Sequence, residues 1–150
     1  MLIHELTTAQ CTEVLARTSL GRLACARAGQ PYVVPIHFSF DSESPGLYAF
    51  STVGQKIVWM RENPKVCVEV EEISDKNRWT TVLVFGRYEE IQDSPADAAT
   101  RQRVWESFQQ RPEWWLPAAA KLPSQERHAI VIFRIHIDRL TGRRAVHERI

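Results

Sequence analysis

The chemically richest stretch of the chain runs from residue 48 to residue 64, YAFSTVGQKIVWMRENP. A short apolar strand leads into two hydroxyls, a glycine and a lysine, and then into an amphipathic helix that ends at Asn63-Pro64. The first N–H groups of a helix lack an intrahelical partner, and the helix dipole places positive charge at the same end. Residues 51–56 are therefore predicted to hold the phosphate of a ligand. The alternative is an ordinary helix cap beside a surface lysine.

A second candidate segment, Pro35-Ile36-His37, lies on the strand that precedes this motif. A proline inside a strand donates no ladder hydrogen bond, so the backbone beside it can face a ligand or a sheet edge. A flat heteroaromatic ring can lie along such a strand and bind to its main chain. His37 is the first candidate for proton transfer because imidazole titrates near neutral pH, although a lone strand histidine is more often structural.

Other reactive patterns are absent from the sequence. Thr80 and Thr81 place two hydroxyls at the start of a long strand, where β-propensity is the simpler explanation. We find no Ser-His-Asp, G-x-S-x-G or phosphate-loop motif. The five histidines and three cysteines show no metal-ligand spacing, so we predict neither a catalytic constellation nor a metal site.

The composition bounds the class of protein. With 150 residues, 44% hydrophobic and 25% charged, the chain is expected to form a single globular domain spanning residues 1–150. A formal net charge of +1 disfavours nucleic-acid and membrane-surface binding, which usually require a basic excess. The sequence has no apolar stretch near the ~20 residues of a membrane span, and its scattered cysteines suit a reducing compartment. We therefore predict a cytoplasmic protein.

The elements that must position these residues are mostly strands. Alternation and turn residues predict strands over residues 22–28, 32–41, 47–51, 65–73, 79–91 and 129–140, with a turn at Thr141-Gly142. Helices are predicted from Thr7, after Ser51-Thr52, and from Ser94-Pro95 to about residue 110. Residues 111–123 are predicted to be irregular. Short strands joined by hairpins indicate a β-rich (α+β) antiparallel barrel of about six strands with a few flanking helices.

Five segments, in this order and spacing, resemble the pyridoxamine 5′-phosphate oxidase-like, FMN-binding split β-barrel superfamily, and within it the nitroimidazole-reductase-like branch. They are GRLA (21–24), GQPYVVPIHF (29–38), YAFSTVGQK (48–56), NPKVC (63–67) and VFGRYEE (84–90). The likeness covers roughly residues 6–91.

The resemblance implies a six-stranded Greek-key split barrel and a homodimer that binds two FMN molecules at the subunit interface. The cofactor-binding residues would then be Pro35, Ile36 and His37 against the isoalloxazine, Phe50, Ser51, Thr52, Gln55 and Lys56 around the ribityl-phosphate arm, and Thr80 and Thr81 from the long strand. Gln55 stands where the oxidase itself has a basic residue, so oxidation of pyridoxamine phosphate is not expected. FAD and the deazaflavin F420 remain open as cofactors because both present a similar ring and arm.

Three functions are compatible with these observations. The first is a flavin-dependent oxidoreductase that acts on an unidentified small molecule, with the redox chemistry supplied by FMN. The second is a non-catalytic flavin or haem carrier or sensor on the same barrel. The third, an oligonucleotide-binding barrel, is disfavoured by the near-neutral charge.

Overall fold

A computed structural model describes residues 1–110 and 130–147, which form eight strands and three helices. The strands are β1 (Leu2–Glu5), β2 (Leu20–Arg27), β3 (Gln30–His37), β4 (Ser39–Asp41), β5 (Gly46–Thr52), β6 (Lys65–Asp75), β7 (Arg78–Ile91) and β8 (Ile130–Val146). The helices are α1 (Thr8–Arg17), α2 (Gln55–Glu62) and α3 (Ala98–Gln109). None of these helices is long and apolar enough to cross a membrane.

All eight strands belong to one antiparallel sheet with the order β3-β2-β6-β7-β8-β5-β4, and β1 pairs with the far part of β8. The two ends of this path, β3 and β4, follow each other in the chain with only Phe38 between them. The sheet therefore curls round on itself, as in a split β-barrel, but the described strands do not close it by hydrogen bonds. The predicted architecture is confirmed, whereas the predicted count of six strands is wrong.

The difference in strand number has two local causes. The strand predicted over residues 32–41 changes partner midway, because β3 pairs with β2 and β4 pairs with β5. The changeover is at Phe38, whose N–H donates to the carbonyl of Ser19 (2.9 Å). The other extra strand, β1, is too short and too exposed to show an alternating pattern.

The change of partner leaves a gap between β3 and β5. Within the described structure, residues 30–37 pair only with β2, and residues 49–52 pair only with β8. Continuing the β4–β5 register would set His37 opposite Phe50 and Pro35 opposite Thr52, but the pairing ends at Ser39 and Tyr48. We call this gap, bounded by residues 30–37 and 49–52, the seam. It brings two sequence-predicted ligand segments to opposite sides of one opening.

The strands alternate between an inner face that forms the core and an outer face. Val66, Val68 and Val70 of β6 are buried inside, as are Val82 and Val84 of β7. In β3 the predicted alternation is confirmed: even-numbered residues from 34 to 38 point into the core, and residues 33, 35 and 37 point outward. A second apolar cluster lies outside the barrel, where α3 covers β5 and the adjoining ends of β7 and β8.

Two predicted boundaries are wrong. The last strand does not stop for a turn at Thr141-Gly142 but continues to Val146. Gly142 is needed there because a Cβ atom would lie 2.8 Å from Cys11 Sγ of α1 and 2.9 Å from Leu6 Cδ1. α3 begins at Ala98, with Asp97 as its N-cap residue, several residues after the predicted Ser94. The predictions for residues 111–123 and for Ala129 lie outside the described residues.

Candidate functional site

The connection between β5 and α2 places the predicted phosphate-binding residues together at the seam. Thr52 and Gln55 are exposed, while Ser51 and Lys56 are half-buried. Gly54 is the N-cap residue of α2 and contributes no side-chain hydrogen bond, so the first N–H groups of this helix are not capped by a side chain. An uncapped helix start is a favourable place for an anion.

Lys56 is the main cationic group of this connection. Burial lowers the pKa of its ammonium group below the ordinary value, because removing the charge from water disfavours the protonated form. None of the ion pairs found among the described residues includes Lys56. A partly buried cation without a carboxylate partner would gain from an anionic ligand.

The hydroxyl of Ser51 and the ring of Phe50 are already engaged. Ser51 Oγ donates to the carbonyl of Thr52 (2.8 Å), so its lone pairs remain as acceptors and its proton would have to rotate toward a phosphate. Phe50 packs edge-on against Phe108, with the ring centroids 5.0 Å apart, and also contacts Trp105 at 6.1 Å. The Phe50 side chain therefore serves the cluster beneath α3 rather than the β5–α2 connection.

Helix α2 crosses from the end of β5 toward β2 and β3, and it joins the two sides of the seam. Trp59 contacts the ring of Tyr32 in β3 at a centroid distance of 5.5 Å. The side-chain amide of Asn63 donates to the carbonyl of Ala26 in β2 (3.0 Å). Lys56 lies three residues before Trp59, so the two side chains share one side of the helix. We therefore expect the ammonium group to lie on the β3 side of the seam.

The three β3 residues predicted to contact a ring differ in exposure. Ile36 is buried in the core, Pro35 is exposed on the outer face, and His37 is half-buried on that same face. Residues 30–37 have β2 on one edge, and the other edge faces the seam. Backbone groups along this edge could bind a flat ligand, as the sequence predicts.

The two threonines of β7 lie on opposite faces of the sheet. Thr80 is buried on the inner face, where its hydroxyl accepts a hydrogen bond from Arg144 Nε (3.1 Å). Thr81 is half-buried on the outer face. β2 and β6 separate β7 from β3, so Thr81 lies about 14 Å along the sheet surface from residues 35–37, at about 4.8 Å per strand. One protomer does not bring either threonine to the seam.

Among the described residues, two cavities on the outside of the barrel are large enough to consider. The larger, of about 460 Å³, has a mainly apolar floor on β2, β6 and β7 that includes Ala24, Ala26, Cys67 and Phe85. The smaller, of about 360 Å³, is a polar cleft between β4, β5 and α3, bordered by the Asp41–Arg103 ion pair (3.2 Å). Sequence patterns did not identify either cavity, because each is assembled from elements distant in the chain.

A comparison with known protein families decides the affiliation. The model of the pyridoxamine 5′-phosphate oxidase family matches residues 7–144 of this chain. The chain belongs to that family. The resemblance inferred from the five sequence segments is therefore confirmed.

Similar proteins align with this chain over nearly its whole length. An uncharacterised protein of Rhizobium meliloti is 37% identical over 148 residues, 97% of each chain. The crystal structure of an FAD-binding protein from Mesorhizobium loti is 40% identical and has a TM-score of 0.83, covering 97% of this chain and 100% of that one. A structure described as a candidate 5-nitroimidazole antibiotic resistance protein of Bacteroides thetaiotaomicron is 15% identical, with a TM-score of 0.66 over 98% and 93% of the two chains. At that identity the likeness shows the fold alone.

Proposed function

We propose that this chain is a flavoprotein that binds the phosphate arm of FMN or FAD at the β5–α2 connection and acts as an oxidoreductase on a small molecule. The observation that carries the proposal is the half-buried Lys56, without an ion pair in the described structure, beside an uncapped helix start. The Mesorhizobium loti protein, which is 40% identical, is FAD-binding. The phosphate next to the ribityl chain is common to FMN and FAD, so one phosphate cradle, formed by residues 51–56, can serve both.

In this proposal Ser51, Thr52 and Gln55 hold the phosphate with Lys56, and the ring lies across the seam against residues 35–37. The bound flavin supplies hydride or electron transfer, while the protein supplies binding, orientation and electrostatics. Such a division of labour explains why the sequence carries no catalytic constellation. His37, half-buried beside the ring position, is the residue that could exchange a proton there.

The proposal includes a homodimer with flavin at the subunit interface. Within the described residues, several large apolar side chains are exposed on the outer face of the sheet, among them Leu20 at 41%, Val33 at 61%, Ile73 at 64% and Leu83 at 38%. A second copy would cover this surface, and exposed apolar area of this kind often marks an interface. Within one protomer, Thr81 lies too far from residues 35–37 to contact a flavin there. In a dimer, the partner's Thr81 could reach that flavin instead.

Titration of the purified protein with FMN, FAD and riboflavin tests the binding site. Riboflavin lacks the phosphate, so FMN should bind more tightly, and Lys56→Met should weaken FMN binding roughly 10- to 100-fold, the range for a charge-assisted hydrogen bond. Lys76→Met, at an exposed lysine in the β6–β7 turn, is the matched control and should leave the Kd unchanged. Equal affinities for FMN and riboflavin, or an unaltered Kd in Lys56→Met, would contradict the site.

Oxidoreductase activity requires a separate measurement. Anaerobic addition of NADH or NADPH to the flavin-loaded protein should bleach the visible flavin bands, and reoxidation by a small-molecule acceptor should restore them. A stable flavin complex that neither nicotinamide reduces would favour the carrier or sensor function instead. The same titrations, extended to F420, show which coenzyme the cradle prefers.

A further inference from the structure

A polar network at the far end of α2 from the proposed cradle joins this helix to β7. Glu90 of β7 accepts two hydrogen bonds on Oε1, one from Arg61 Nε of α2 and one from the Tyr88 hydroxyl (2.7 Å). The Glu90 side chain is 21% exposed, which makes it the more buried partner of the Arg61–Glu90 ion pair. We call these three residues the α2 clamp.

The α2 clamp acts at the opposite end of the helix from the cradle. α2 has eight residues and is about 12 Å long, so the placement of its last turn fixes the placement of its first. Lys56 and Arg61 are five residues apart, which separates their side chains by about 140° around the axis at about 100° per residue. Tying Arg61 to β7 therefore helps to set the rotation of the helix, together with the Asn63–Ala26 hydrogen bond and the Glu62–Arg27 ion pair (2.9 Å) to β2. This rotation decides where the Lys56 side chain points.

Apolar packing leaves that rotation less well defined. Ile57 and Met60 are fully buried and hold α2 against the core. Apolar contacts are not directional, whereas a guanidinium–carboxylate pair fixes both distance and direction. The third member strengthens the arrangement, because burial raises the pKa of the Tyr88 hydroxyl and keeps it a neutral donor.

We propose that Glu90 is a positioning residue, which through Arg61 holds α2 at the rotation that aims Lys56 and the first helical N–H groups at the flavin phosphate. The inference rests on the proposed function, and it adds residues on β7 and at the far end of α2 that do not contact the ligand. It predicts that loss of the α2 clamp weakens phosphate recognition specifically.

The test compares the ratio of the riboflavin Kd to the FMN Kd in wild type and in Glu90→Gln. We expect this ratio to fall roughly three- to tenfold, as for residues coupled through one network. The charge change alone predicts the opposite, since removing a carboxylate near a phosphate should tighten FMN binding. Arg61→Gln should lower the ratio as well, and Arg61→Gln with Glu90→Gln should not lower it further.

Glu72→Gln is the matched control. Glu72 pairs with Arg17 of α1 through two hydrogen bonds of 2.7 and 2.8 Å, so this variant also removes one carboxylate and one helix-to-sheet tether. It should leave the ratio unchanged. Thermal unfolding identifies folded variants, and Arg61→Gln, at a side chain 46% exposed, remains decisive if Glu90→Gln does not fold.

The outcomes separate the two proposals. A wild-type protein that binds FMN no better than riboflavin would overturn the cradle and the α2 clamp together. Phosphate discrimination in wild type that persists in folded Glu90→Gln and Arg61→Gln would overturn the clamp alone. An equal fall in Glu72→Gln would also overturn it, because the effect would then reflect general loosening of the fold.

Discussion

At the scale of single residues, phosphate binding at Lys56 should depend on whether its side chain is protonated. Its ammonium group is partly removed from water, which lowers its pKa, and the described residues offer no carboxylate in return. A phosphate placed beside the ammonium would favour the charged form and raise the pKa again. Binding and protonation at this residue should therefore be linked.

The linkage predicts a pH dependence with a defined sign. In the proposed site the phosphate prefers protonated Lys56, and the pKa of this residue in the free protein lies below the ordinary value of 10.5. FMN affinity should thus be constant at neutral pH and fall as the pH rises through the lowered pKa. Riboflavin affinity, measured by fluorescence quenching over the same range, reports any titration of the ring itself. A parallel decline for FMN and riboflavin would show that Lys56 is not the group responsible.

Thr80 and Thr81 allow a second test with single residues. Thr80→Val removes the acceptor for Arg144 and should cost about 1 kcal/mol of unfolding free energy, as for a typical hydrogen bond, with flavin affinity unchanged. Thr81→Val should leave stability unchanged and weaken flavin binding only in the dimer. For both variants, urea unfolding measures the free energy of unfolding and flavin titration measures the Kd. Weaker flavin binding in Thr80→Val would show that the inner face takes part in the site.

At the scale of elements, the close approach of two strands explains Gly86. Gly86 marks the irregular register between β7 and β8, and a Cβ atom there would lie 2.1 Å from the carbonyl oxygen of His136. The obstructing atom belongs to the backbone of β8, which cannot move aside as a flexible side chain could. The sequence predicted a bulge or a close approach at this glycine, and the structure shows both.

Gly86→Ala should therefore destabilise the fold by about 3 kcal/mol or more, the upper range for overpacking in a tight interior. Gly54→Ala provides the comparison, because the nearest atom to its Cβ would be the carbonyl oxygen of Thr52 at 4.0 Å. Its cost should stay below about 1 kcal/mol, the typical loss for a changed N-cap. Chemical denaturation of both variants gives the two values. Similar costs would mean that β7 and β8 can separate at Gly86.

Local patterns were sufficient to predict most of the elements. Both reciprocal hydrogen bonds of the Thr7–Gln10 capping box are present. The hairpin turn at Ala28-Gly29 has positive φ angles of 48° and 79°. The errors occurred where tertiary packing overrides local chemistry. Thr141-Gly142 has the composition of a turn, but Gly142 lies in a strand because α1 needs the space.

The site was predictable only in part, for a similar reason. Residues 51–56 are contiguous, so their spacing alone suggested an anion-binding helix start. The seam, the commitment of Phe50 to α3 and the separation of Thr80 from Thr81 depend on pairings between distant strands. Glu90 could have been noticed from alternation, since it shares a face with Tyr88, but its partner Arg61 lies 29 residues away.

At the scale of the whole molecule, the exposed apolar face predicts association. Val33→Lys and Leu83→Lys are two separate variants, and each places a cation within the proposed interface. Burying an unpaired charge costs about 3 kcal/mol or more, which raises the dimer dissociation constant roughly 100-fold. Both variants should become monomers in sedimentation experiments and lose flavin affinity. Leu2→Lys, at a β1 residue that is 45% exposed and lies on the opposite face of the sheet from Thr81, should stay dimeric. A wild-type protein that sediments as a monomer would contradict the predicted assembly.

The single residue between β3 and β4 has a consequence for how ligands enter. Phe38 is fully buried, so the strand is pinned at this point, while the segments before and after it belong to different partners. Moving residues 30–37 away from residues 49–52 then requires backbone rotation near Phe38. No ladder of interstrand hydrogen bonds has to break. We therefore expect the seam to be the place where the barrel opens most easily to a ligand, with the α2 contacts to Tyr32 and Ala26 as the interactions that must yield.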